Sequence, residues 1–249
     1  MQQDLSKFRN SVFYTISFVG LLWFIKIIES SFAVDLGVFG IHPRSFAGTV
    51  GILTGPLVHG DFHHLMSNSL PLLFLGIGVF YFYHRIALEV FVWIYLFTGF
   101  WVWVIARDAY HIGASGIVYG LASFLLFSGF FRKDSRSIAI SLVVIFLYGG
   151  MAYGLFPMNE EISWESHLLG TVGGFVCAFF YRRYPLSTAK ESLENPEMVD
   201  LGNMNRAPAP PDPSTEEMTQ DHTHFQQDYR IRYFYKENLH NDDHPSPEN

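Results

Sequence analysis

The sequence predicts an all-α, polytopic membrane protein: a bundle of six transmembrane helices with a long structured first loop and a mostly disordered cytoplasmic tail. Two observations carry this. Six apolar runs reach or approach the roughly 17–25 residues needed to cross the hydrocarbon of a bilayer. The charge also divides sharply after Tyr184. Residues 1–184 carry 11 Lys/Arg and 10 Asp/Glu, a net of +1, whereas residues 185–249 carry 5 and 13, a net of −8. The acidity of the whole chain therefore belongs to its end, which separates a membrane domain at 1–184 from an acidic, Pro-containing tail at 185–249. No concentrated basic face exists, so nucleic acid is not expected as a partner.

The apolar runs lie at 11–29, 65–83, 87–106, 115–131, 137–156 and 167–183. The first, Val12–Ile28, is long for the core of a cleavable signal peptide, and no convincing small-residue cleavage site follows it. Lys26, near its end, can snorkel to the interface. The connection Ser30–His64 is long and mixes Phe32, Phe39 and Phe46 with Gly and Pro. It reads as a structured loop partly embedded at the interface, able to shield a site from water. Pro71, Gly76, Gly78, Gly149 and Gly150 do not argue against helices, since both residue types are frequent in membrane spans. The single cysteine, Cys177, lies among Phe175, Val176, Ala178 and Phe179 and reads as an inert core residue. It excludes an intramolecular disulfide and a cysteine-based zinc site.

Orientation follows from Lys and Arg. With a cytoplasmic N-terminus, the inner segments hold Lys7, Arg9, Arg85, Arg132, Lys133, Arg136, Arg182 and Arg183, and the outer ones only Arg44 and Arg107. Both termini are therefore expected in the cytoplasm, and the compact core fits a multi-pass protein of a bacterial inner (cell) membrane. Residues 185–222 are rich in Pro, Ser, Glu and Asp and should be disordered. The stretch Tyr229–Lys236 interleaves aromatic and basic residues. It is either a short strand or adhesive island, or a contact with anionic lipid head groups or cytoplasmic loops.

Polar side chains at span ends point to chemistry. Ser115 opens the fourth run and His167 the sixth, and polar groups placed within membrane segments mark a functional site by default. A hydroxyl and an imidazole are the elements of a serine nucleophile with its base. Gly113 and Gly116 flank Ser115 and allow a tight turn and close approach of a carbonyl. As the residue starting a helix, Ser115 offers an unpaired backbone N–H to an oxyanion. Tyr119, one turn on, can stack on the imidazole. Gly116 and Gly120 on one helix, with Gly170 and Gly174 on the other, repeat the small-residue spacing that lets membrane helices meet. Such a contact would bring Ser115 to His167. His64 and Asn68 share a helix face and can both donate hydrogen bonds, which suits oxyanion stabilisation. His59 with His63 or His64 could supply zinc ligands, but no His-Glu-x-x-His is present, and no metal or other cofactor is expected. Glu165 reads as part of the external loop, so a dyad is simpler than a triad.

These residues resemble the signature of the rhomboid family of intramembrane serine proteases. The motifs are Gly113-Ala114-Ser115-Gly116 with Tyr119, His167 with Gly170 and Gly174, and His64-Leu65-Met66-Ser67-Asn68. They stand in the family's order on its second, fourth and sixth spans, and the likeness covers roughly residues 10–184. It implies Ser115 as nucleophile, His167 as base, His64 and Asn68 as oxyanion donors, Tyr119 as a stacking partner and His59 as a support of the first loop. It also implies a rhomboid-like bundle that cleaves transmembrane segments of membrane proteins near their outer ends. Those proteins and membrane lipid are the implied partners, with no obligate protein partner. Span five, with Gly149, Gly150 and Gly154, would by analogy be the mobile wall beside which substrates enter. One departure concerns the Trp-Arg pair of many relatives, replaced here by Thr49-Val50-Gly51-Ile52, with Pro43-Arg44 as a candidate substitute. The competing reading is a non-catalytic rhomboid-like protein that binds membrane clients for folding or degradation; such relatives typically lack the serine or the histidine. A transporter or channel is disfavoured, because it predicts midplane charges and repeat symmetry. A histidine base also implies that activity falls as pH drops through the imidazole value, about 6.5 when unperturbed. Full activity near pH 4 would count against it.

Overall fold

The computed structural model of the protein describes residues 2–158 and 162–184. The expectations for the tail, its disorder and the stretch Tyr229–Lys236 fall outside the described residues. Among the described residues the regular elements are helical: α1 (Gln2–Phe32), α2 (Gly51–Thr54), α3 (Phe62–Phe82), α4 (Ala87–Ile105), α5 (Ser115–Arg132), α6 (Ser135–Tyr148) and α7 (Trp164–Phe180). Short 3-10 turns fill the first loop, and one continues α6 over Gly149–Leu155.

Five segments are long and apolar enough to cross a membrane: α1, α3, α4, α5 and the continuous Ser135–Leu155. The sixth expected run is also a helix, but α7 has 17 residues. At 1.5 Å per residue it is about 26 Å long, against roughly 30 Å of hydrocarbon. It begins one turn before the expected start, so His167 is its fourth residue rather than its first. Helix α1 extends past its apolar core to Gln2, helped by Asp4 in the first turn, where a carboxylate faces the positive end of the helix dipole.

Local chemistry sets the helix ends. The Asp61 carboxylate accepts from the His64 N–H at 2.7 Å and caps α3. Asp134 caps α6 in the same way, accepting from the Ser137 N–H at 2.9 Å. Lys133, left-handed at φ 59°, ends α5 just before that cap. Arg132 reaches Asp134 at 3.5 Å and lies over the Tyr83 ring, fastening this turn to α3. Pro71 sits inside α3 without ending it.

Helix α5 is the central element. Its apolar stretch is 61% buried, against 11% for Ser135–Leu155, which lies at the periphery. Phe124, Ile117 and Leu121 of α5 meet Leu65, Leu72 and Val79 of α3 in the main core. Against α7 the approach is backbone to backbone. A Cβ on Gly170 would stand 2.0 Å from the Gly116 carbonyl oxygen, and one on Gly174 would stand 2.0 Å from that of Gly120. The two glycine pairs therefore meet as their spacing predicts, through van der Waals packing that a larger side chain would prevent.

The first loop is structured and anchored. Ile41 and His111 exchange backbone hydrogen bonds at 2.9 Å. Arg44 donates its backbone N–H to the Trp103 carbonyl and its guanidinium to the Ala106 carbonyl, so it pins the loop to the end of α4. Lys26 departs from expectation. It does not snorkel to the interface but is buried, donating to Glu29 at 2.8 Å and to the carbonyls of His59 and Gly60 at 2.9 and 2.8 Å. An ammonium has three protons, and each finds an acceptor here, which is what makes its burial tolerable.

Candidate active site

A cavity of about 700 Å³ opens among α3, α5, α7 and the loop before α5, and Ser115, His167, His64, Asn68 and Tyr119 all line it. Ser115 reaches it from a fixed turn. Gly113 takes φ +100°, a value that strains any residue with a Cβ, and its N–H donates to the Gly55 carbonyl at 3.0 Å. Ala114 donates its N–H to Nε2 of His59 at 3.3 Å. Ser115 then begins α5, and Gly116 lies flat against the next helix, where a Cβ would be 3.1 Å from the Ser166 carbonyl oxygen.

His167 is buried in the first turns of α7 and held on two sides. Its ring stacks on Tyr119 with centroids 4.1 Å apart and planes 9° from parallel. Its Nδ1 lies 2.9 Å from the Gly154 carbonyl oxygen. A carbonyl can only accept, so Nδ1 carries the proton and Nε2 keeps the lone pair. Tyr119 is itself tied by its hydroxyl, which donates to the Met151 carbonyl at 2.8 Å. Both fastenings come from the 3-10 segment that follows α6, which leaves no room at Gly154: a Cβ there would be 3.1 Å from the His167 Nδ1.

His64 and Asn68 project from the first turns of α3. A Cβ on Gly113 would lie 2.7 Å from both Cε1 and Nε2 of His64 and 3.6 Å from Nδ2 of Asn68, so both side chains reach the turn that presents Ser115. Asn68 is 5% exposed, yet its Nδ2 donor has no protein acceptor. A buried unpartnered amide is costly and needs an explanation; a donor held ready for a transient negative charge supplies one. His59 packs edge-on to His64 with centroids 5.1 Å apart. It links the first loop to the turn before Ser115, because its carbonyl takes the Lys26 bond while its ring takes the Ala114 N–H.

The structure thus gathers all eight sequence-predicted site residues around one cavity or its frame. Two neighbours depart from the sequence expectation or lie beyond it. Glu165 is not in the external loop: it lies buried in the first turn of α7, 3.2 Å from the Arg107 guanidinium. Gly154, in the sequence only one glycine of the span-five wall, accepts from His167 through a backbone carbonyl that no side chain advertises.

His59 carries a pH prediction. Burial, aided by the neighbouring His64, lowers its pKa from 6.5 to about 4. Between those values the unfolded chain binds the proton and the folded chain does not, so stability falls as pH drops through this window and is unaffected above it. The full loss is about 3 kcal/mol at 1.36 kcal/mol per unit. Thermal unfolding between pH 7.5 and 4 in micelles should show this slope, and His59→Gln should flatten it. An unchanged slope in that variant would assign the acid sensitivity elsewhere.

Apolar helices of membrane-crossing length, with a cavity among them lined in part by polar side chains, define an integral membrane protein. Residues 47–184 match the family model described as the Rhomboid domain, and the chain belongs to that family. An uncharacterized protein of Mycobacterium tuberculosis H37Rv is 37% identical over 177 residues, covering 66% of this chain and 72% of the relative. One of Mycobacterium leprae is 30% identical over the same length, covering 66% and 68%. The Bacillus subtilis protein named "Putative rhomboid protease YdcA" is 28% identical over 137 residues, covering 51% of this chain and 65% of its own. The family match starts within the first loop, so α1 lies outside it.

Proposed function

We propose that this chain is an intramembrane serine endopeptidase that cleaves transmembrane segments of other membrane proteins through a Ser115–His167 dyad. The observation that carries this reading is the shared cavity: a serine at the start of α5 and a histidine whose Nε2 carries the lone pair, beside an unpartnered Asn68 amide N–H. In this mechanism His167 Nε2 takes the proton of Ser115 as its oxygen attacks the peptide carbonyl. The Asn68 amide, the His64 ring and the Ser115 N–H hold the resulting oxyanion. His167 then returns the proton to the leaving amine, and water releases the acyl group by the same route in reverse. The Gly154 carbonyl does for the base what a carboxylate does in a triad, fixing tautomer and ring orientation, which removes the need for Glu165 in that role.

In this reading α7 is the sixth span, completed at its inner end by the 3-10 turn Tyr181–Arg183. The inner segments hold the basic residues, so both termini face the cytoplasm and the cavity opens toward the outer face. The bacterial relatives favour a bacterial cell membrane. The test is covalent labelling of the purified full chain with a fluorophosphonate, with mass spectrometric mapping of the adduct. The adduct is expected on Ser115 alone. Labelling elsewhere, or none alongside intact cleavage of a transmembrane reporter, would overturn the dyad.

A further inference from the structure

A second imidazole–hydroxyl rung lines the same cavity as the proposed dyad. His111 lies four residues before Ser115, in the non-helical segment ahead of α5, and Ser163 lies four residues before His167, as the residue preceding α7. His111 Nδ1 and the Ser163 oxygen are 2.6 Å apart, and Ser163 and Ser166 are joined at 2.6 Å. The other ring nitrogen, Nε2, is 3.1 Å from the Arg107 carbonyl oxygen.

The direction of every bond follows from that carbonyl. It can only accept, so Nε2 of His111 holds the proton and Nδ1 is bare. Ser163 therefore donates to Nδ1, and its oxygen accepts from Ser166. The chain Ser166 to Ser163 to His111 to the Arg107 carbonyl is polarised in one direction and satisfied throughout. Burial holds the pKa of His111 below the ordinary imidazole value, consistent with a neutral ring.

The rung is anchored on each side. His111 is 2% exposed and its backbone is paired with Ile41 of the first loop. Arg107 reaches across to Glu165 at 3.2 Å and to the Ile162 carbonyl at 3.0 Å. Ser166, at the far end, is the residue whose carbonyl rests against Gly116. The non-helical segment that delivers Ser115 and the first turn of α7 that delivers His167 are thus tied together at the level where the two helices meet.

We propose that His111, Ser163 and Ser166 are positioning residues: a clasp that sets the reach between Ser115 and His167. This rests on the reading of those two as nucleophile and base. The clasp touches neither reacting atom and acts through the spacing of two helix ends, where a misplacement near 1 Å can cost about a hundredfold in rate.

The experiment uses the full chain in micelles at a fixed substrate mole fraction. His111→Leu and Ser163→Ala should each lower kcat for a transmembrane reporter about tenfold while KM changes less than twofold. The rate of fluorophosphonate labelling at Ser115 should fall in parallel, since that small probe needs no docked helix. The double variant should lose no more than either single one, as expected of residues in one network. His111→Gln should restore most of kcat, because its amide can accept from Ser163 and donate to the Arg107 carbonyl. Should His111→Leu fail to fold, Ser163→Ala, which deletes only a hydroxyl, carries the same test. Wild-type kcat in folded Ser163→Ala, or losses that multiply in the double variant, would overturn the clasp. Cleavage retained in Ser115→Ala would instead overturn the underlying dyad.

Discussion

Ser115→Ala is expected to abolish cleavage of a transmembrane reporter, with a loss of about 10⁴-fold or more in kcat. The size follows from what the hydroxyl supplies. On the proposed mechanism no acyl-enzyme forms without it, and the proposed oxyanion donors and His167 can only orient water, which leaves a small residual rate. Removing one half-buried oxygen on the cavity wall leaves no charge unpaired, so folding and substrate binding should survive. His167→Asn should fall by a similar factor, since a nucleophile and its base act as a unit rather than additively. The cavity offers a specific competitor, because Ser163 also lines it and donates to His111. Cleavage that persisted in Ser115→Ala and vanished in Ser163→Ala would move the nucleophile to that pair. The turn at Gly113 argues for Ser115, because that turn is where the His64 ring and the unpartnered Asn68 amide converge.

What could be read from residues alone was mostly what depends on periodicity. Ser115 as the first residue of α5, the meeting of Gly116 and Gly120 with Gly170 and Gly174, and the stack of Tyr119 on His167 follow from spacing on helices whose faces the apolar pattern defines. The features that stayed hidden depend on partners distant in sequence or on the backbone. Lys26 looked like a snorkelling residue because its acceptors at His59 and Gly60 belong to a loop more than thirty residues away. Glu165 looked external because Arg107, which draws it in, lies 58 residues earlier. The Gly154 carbonyl is invisible to any reading of side chains. His111 belongs with these. It lies in the non-helical segment before α5, so no periodicity pairs it with Ser163, and only the fold brings the two together.

Gly170→Leu is the substitution expected to damage both stability and activity most after the dyad itself. Its Cβ would enter to 2.0 Å from the Gly116 carbonyl oxygen, and neither partner is a flexible side-chain end that could swing away. Ordinary contact needs roughly 3.4 Å or more, so α5 and α7 must separate by more than an ångström. In lipid no hydrophobic gain offsets this, because the association rests on close packing. Overpacking of this kind typically costs about 1–3 kcal/mol. The same displacement withdraws His167 from Ser115, so kcat should fall about a hundredfold or more even in the folded fraction. Gly174→Leu meets the Gly120 carbonyl oxygen equally closely but one turn further from the cavity, so it should lower the unfolding temperature comparably while costing less activity. Gly20→Leu, on an exposed part of α1 with nothing within 4 Å, is the control and should change neither. The measurements are reporter cleavage and thermal unfolding of the three variants in the same micelles. Wild-type turnover in Gly170→Leu would mean that this glycine contact is not what brings the serine and the histidine together. Equal activity losses at positions 170 and 174 would mean that the damage is global rather than transmitted along the helix ends to the site.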